Sequence, residues 1–182
     1  MKTLSIALLF LVLAAATATG ADAASERHSG RQVRANLEPI QEVPALSTPG
    51  RGNFRGTISK DGEELSFKLS YDDLQGEVAQ AHLHLGQTSV NGGISIFLCT
   101  NLGNGPAGTP ACPAPPAEIE GTLSAIDVIG PTGQGIDLGE FAEVIRAIRD
   151  GVVYVNVHTD VFPGGEIRGQ LRINQGRGGG NK

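Results

Sequence analysis

Residues 54–71, FRGTISKDGEELSFKLSY, carry the pattern that decides the fold. Leu65, Phe67, Leu69 and Tyr71 alternate with Ser66, Lys68 and Ser70, the period of two that a half-buried strand imposes. Phe54, Gly56 and Ile58 repeat at the same period on the other side of Lys60-Asp61-Gly62, whose turn chemistry predicts a hairpin. Toward the N-terminus, Val33, Ala35 and Leu37 alternate with Arg34 and Asn36. Toward the C-terminus, Ala79, Ala81, Leu83 and Leu85 form the apolar side of 78–85, and Ile94 to Leu98 is a continuous apolar run. Ile119, Gly121 and Leu123 mark a further strand, then Val153, Val155 and Val157, and last Ile167, Gly169, Leu171 and Ile173. The spacing predicts an all-β chain: an antiparallel Greek-key sandwich or barrel of about eight strands.

One segment departs from that period. Leu138, Phe141, Val144, Ile145 and Ile148 recur at helical intervals, Asp137 is placed to cap the N-terminus, and Gly151 stands where a helix-ending glycine belongs. A single short helix is predicted near 137–150, covering the core. The 182 residues include 26 Gly and 10 Pro and no Trp, which suits short elements joined by many turns. The net charge of −5 argues against a protein that grips a phosphate backbone.

The chain opens on MKTLSIALLFLVLAAATATGADA, with Lys2 before an apolar run from Leu4 to Ala16 and Ala-x-Ala spacings after it. Residues 1–23 read as a secretory signal peptide, too short for a comfortable membrane span. Residues 24–32 are a flexible lead-in that includes His28, 33–173 are the domain, and 174–182 are a flexible Gly-rich tail. Export makes an oxidising compartment the expected home, extracellular or, in a Gram-negative cell, periplasmic. The only two cysteines, Cys99 and Cys112, are then expected to form a disulfide around a loop made of turn residues.

Strand parity singles out three of the four histidines. With Ala81, Leu83 and Leu85 toward the core, His82 and His84 lie on the opposite face, ~6.7 Å apart along the strand. His158 shares that parity with Tyr154 and Asn156 and is likewise expected to face outward. Imidazoles converging from two strands suit copper or zinc. The same residues serve equally well as a structural hydrogen-bond network, with Asp160, Glu166 and Arg168 as neighbouring partners. Pairing register decides between the two. No nucleophile elbow, phosphate loop or His-Glu-x-x-His appears, so no catalytic residue is assigned.

Tyr154-Val155-Asn156-Val157-His158-Thr159, followed by Phe162-Pro163-Gly164-Gly165-Glu166-Ile167-Arg168-Gly169-Gln170-Leu171, resembles the signature of the CHRD domain, named after chordin. Asn36-Leu37, Gln41-Glu42-Val43-Pro44, Ala81-His82-Leu83-His84-Leu85-Gly86 and the helical segment 137–151 agree in order. The resemblance spans roughly residues 33–173. It implies a secreted domain, non-enzymatic, that acts as an extracellular binding or structural module toward a protein or matrix ligand. From the charge no nucleic-acid partner is expected, and because no apolar run after the leader approaches ~18 residues, no membrane is expected once the leader is removed. The resemblance does not carry over chordin's growth-factor antagonism, which is attributed to cysteine-rich repeats absent here.

His82-Leu83-His84 and Val157-His158 are also similar to the copper-ligand motifs of Cu/Zn superoxide dismutase, itself a Greek-key β-sandwich. No histidine lies between His84 and His158, so the bridging and zinc-loop ligands of that enzyme are missing. The alternative this implies is a mononuclear copper or zinc protein with a three-histidine site, dismutase-like in its extreme form.

Overall fold

The computed structural model describes residues 31–174. The expected signal peptide, nearly all of the lead-in with His28, and the tail beyond Asn174 lie outside those residues. Among the described residues, nine strands form two antiparallel sheets. They are β1 (Gln32–Leu37), β2 (Arg51–Ile58), β3 (Leu65–Asp72), β4 (Val78–Leu85), β5 (Gly93–Thr100), β6 (Ala117–Leu123), β7 (Val153–Thr159), β8 (Ile167–Gln170) and β9 (Arg172–Ile173). One sheet runs β6-β3-β2-β1-β9 and the other β5-β4-β7-β8. The sheets do not close into a barrel, so of the two expected architectures the sandwich is the one found. β6 returns across the sandwich to pair with β3, and β7 returns to pair with β4, the crossovers of a Greek key.

The hairpin read from residues 54–71 forms as predicted. Phe54 pairs with Leu69 and Ile58 with Leu65, and Gly62 takes a positive φ of 83° in the connecting turn. Phe54, Ile58, Leu65, Leu69 and Tyr71 are buried, and the Phe54 and Phe67 rings stack at 5.8 Å. They meet Ala81, Leu83, Ile96, Leu98, Val153, Val155, Val157 and Ile167 from the facing sheet in one core.

The last strand needs correction, and the start of the helix needs narrowing. The apolar alternation from Ile167 to Ile173 is not one strand. β8 pairs with β7, the chain turns at buried Leu171, and β9 pairs with β1 in the other sheet. The alternation survives because both segments face the same core. The helix expected near 137–150 is present as α1, Phe141–Arg149, with its start a turn later than the Asp137 cap would place it. Glu140 stands at its N-terminus in place of Asp137, and its carboxylate accepts a hydrogen bond from the Asp137 backbone N–H. Leu138 is exposed, while Phe141, Val144, Ile145 and Ile148 pack inward beside β7 and β9. Gly151 follows the helix at a φ of 72°, as the sequence predicts.

The Cys99–Cys112 disulfide is present. It ties the end of β5 to the loop before β6. Within that loop Asn101 donates to the Val78 and Cys112 carbonyls and accepts from the Cys112 N–H.

Candidate metal centre

β4 and β7 are the two inner strands of the four-stranded sheet, and their register places the histidines. His82 lies opposite Asn156, His84 opposite Tyr154, and Gln80 opposite His158. His158 is therefore diagonal to His82, within reach of an aromatic side chain. The three rings converge. His82 Nδ1 is 3.2 Å from His158 Nε2, and ring centroids are 5.0 Å (His82–His158), 5.3 Å (His82–His84) and 5.8 Å (His84–His158) apart.

Parity is as expected, but exposure is not. His82 is 0% exposed and His84 and His158 are 7% exposed, so the cluster does not face solvent. Asn156, expected to face out with it, is also buried. The connections of the sheet fold over this face. The strap after β1, the 86–92 loop and the β7–β8 loop supply the cover. Backbone carbonyls in that cover fix two of the rings. His84 Nδ1–H donates to Gly92 O at 3.0 Å, and His158 Nδ1–H donates to Pro163 O at 3.0 Å. Each bond selects the tautomer that leaves Nε2 as a lone pair. A Cβ at Gly92 would overlap the Leu85 carbonyl, so only glycine brings this backbone close enough.

Around the rings the layer continues. Phe97 meets His82 edge-on at 4.3 Å, brought to that face by an irregularity in the β4–β5 register. Tyr154 stacks on His84 at 4.8 Å, with planes 5° apart. Asn156 Nδ2–H donates to Glu42 Oε1 at 2.8 Å. Burial pushes the Glu42 carboxyl up to about 7, against the lowering pull of that bond and of Arg168. Glu42 and Pro163 also line a cleft of about 240 Å³ beside the cluster.

The three expected partners sort differently. Glu166 is buried but accepts from Thr159 Oγ1 and the Gln75 N–H, and Asp160 accepts from the Glu77 N–H. Neither is bonded to a histidine. Arg168 reaches the cluster through Tyr154, its Cζ 3.4 Å from that ring's centroid. Sequence reasoning missed Gly92, Pro163 and Glu42. Tyr154 and Asn156 carried a signal in their shared parity with His158, whereas a backbone carbonyl carries none.

Burial is the main cause holding all three imidazoles neutral. His82 is lowered to about 2, with the neighbouring His158 and His84 adding to the effect. His84 is lowered to about 4 against the raising bond to Gly92 O, and His158 is lowered against its bond to Pro163 O. Neutral imidazole is the form a metal ion needs. One ligand nitrogen from each ring lies within 4.8 Å of the others, and this is the one such group of three among the described residues. Two nitrogens bound at ~2.0–2.1 Å and ~100° apart stand ~3.2 Å from each other, the separation found between His82 and His158. His82 Nε2 and His84 Nε2 are buried without a hydrogen-bond partner. A buried polar atom left unpaired costs ~1–3 kcal/mol, and of the two only His84 Nε2 can turn to an ion that His82 meets through Nδ1, since each ring offers one nitrogen. The donor set fits copper or zinc, both of which imidazole ligates well.

A two-sheet β-sandwich with a covered histidine cluster on the outer face of one sheet is thus the class of molecule. A family model, CHRD domain, matches residues 33–171, and the chain belongs to that family. No curated protein and no solved structure matches it.

Proposed function

We propose that this CHRD-family protein is an exported module whose three histidines hold a single copper ion, with zinc as the weaker competitor. The observation that carries the reading is the pairing of convergence with an orphaned nitrogen on His84. His82, His84 and His158 meet in a buried layer, two of them locked by carbonyls so that Nε2 points away as a lone pair, and His84 Nε2 has no partner in the protein. Export is supported by the Cys99–Cys112 disulfide and by the extracellular habit of the family. No helix among the described residues is long and apolar enough to cross a membrane. The role is binding and structural in the first instance, with an extracellular protein or matrix ligand as partner. Redox chemistry of the dismutase kind requires more than the ligand set.

One observation favours a second reading. His82 Nδ1 and His158 Nε2, at 3.2 Å, also make a good hydrogen bond within a purely structural histidine network. That network leaves His84 Nε2 unsatisfied, which is why the metal reading is preferred. Calorimetric titration of the metal-free protein separates them. One Cu(II) per chain, bound more tightly than Zn(II) and lost in His84→Ala, supports the metal site. Heat no greater than nonspecific background leaves the structural network.

A further inference from the structure

Among the described residues Arg168 is the one buried cation, and its surroundings are unusual for one. It is 2% exposed, and the ion pairs among the described residues do not include it. Its guanidinium is satisfied by neutral acceptors of the 86–92 loop. Nη1–H donates to Asn91 Oδ1 at 3.1 Å, and Nη2–H donates to Gln87 O at 3.0 Å and Val90 O at 2.7 Å. Glu42 acts on Arg168 electrostatically without forming an ion pair, so the cost of burying this cation is only partly offset.

A reason for its placement lies in what the fork and the flat face of the guanidinium touch. The loop residue next to Asn91 is Gly92, whose carbonyl accepts from His84 Nδ1–H and whose N–H donates to the Tyr154 hydroxyl at 3.1 Å. The guanidinium lies on the Tyr154 ring, and that ring lies parallel on His84. Three flat groups from successive strands, Arg168 on β8, Tyr154 on β7 and His84 on β4, form one column. Arg168 thus constrains His84 twice, through the ring plane and through the carbonyl that selects its tautomer.

We propose that Arg168 is a positioning residue that sets how tightly the histidine cluster holds its ion, by fixing the plane and tautomer of His84. This rests on the metal reading for its affinity and on geometry alone for its effect on His84. Lysine cannot substitute, because it keeps the charge but lacks both the fork and the stacking face.

The test compares wild type, Arg168→Lys, Arg168→Met and a control, Phe67→Leu, which destabilises the opposite sheet. In the metal-free protein, ¹⁵N NMR reads the His84 and His158 tautomers. The expected result is a protected Nδ1–H on both rings in wild type and control, and its loss at His84 alone in both Arg168 variants. Competition against a chelator is then expected to show Cu(II) binding weakened ~10–100-fold in both variants, the usual effect of removing a group that orients a metal ligand. The copper EPR spectrum should change with it, and the control should keep wild-type affinity and spectrum. An intact His84 Nδ1–H with wild-type affinity in the Arg168 variants overturns the proposal. A wild-type protein that takes up no copper overturns the metal reading instead, and the NMR comparison still decides what Arg168 does to His84.

Discussion

The two sheets present their outer faces in opposite ways. On the five-stranded sheet, Arg34, Arg55, Ser66, Lys68, Glu118 and Glu120 point away from the core into solvent. There Lys68 pairs with Glu118 at 2.8 Å and Glu120 at 3.5 Å, exposed contacts of little energetic weight. On the four-stranded sheet, His82, His84, Tyr154, Asn156, His158, Arg168 and Gln170 have the same parity relative to the core, yet every one is buried. Alternation decides which side chains leave the core. Whether they then reach water depends on what the loops do, and only one face here is roofed.

The largest expected effect sets the scale. Val155→Asp puts a charge in the apolar core and should cost ~4 kcal/mol or more, unfolding the domain or collapsing its urea midpoint. Asn156→Asp, one residue along on the outer face, is a test of the roof. It places a second carboxyl where Asn156 now donates to Glu42, and should cost ~3 kcal/mol. A loss within ~0.5 kcal/mol, the ordinary range for an exposed position, would mean that the layer is open to water.

The metal-free protein should also weaken in mild acid. Below ~6.5 the histidines of the unfolded chain take up protons that the buried rings, lowered to about 4 at His84 and about 2 at His82, do not. Stability therefore falls with pH through this window. Glu42 opposes the trend. Its folded carboxyl, raised to about 7, stays protonated where the unfolded one ionises above ~4.5, so its contribution grows as pH falls. His82 and His84 against one carboxyl leave a net loss of about 1 kcal/mol from pH 6.5 to 5.5, and His158, also lowered by burial, adds in the same direction. Urea midpoints across that range check it, and a flat profile would mean that the rings titrate normally. The smallest effect belongs to the open face, where Lys68→Ala should leave the urea midpoint where it is.

Much of this was legible in the residues. The period of two in 54–71 predicts the hairpin, and the parity of His82, His84 and His158 predicts that they share a face. Cys99 and Cys112 predict their own bridge. What was hidden depends on tertiary packing. Gly92 and Pro163 act through backbone carbonyls, which leave no mark in side-chain chemistry. The sheet switch at Leu171 keeps the alternation of a single strand. The α1 start at Phe141 depends on local bonding around Asp137 and Glu140 that the apolar stripe does not record.

Copper X-ray absorption on the metal-loaded protein addresses the central claim directly. The roofed face predicts one copper per chain, about three nitrogens at ~2.0 Å, and the outer-shell scattering of imidazole rings. A first shell of oxygen without imidazole scattering, or copper present well below one per chain, would contradict it.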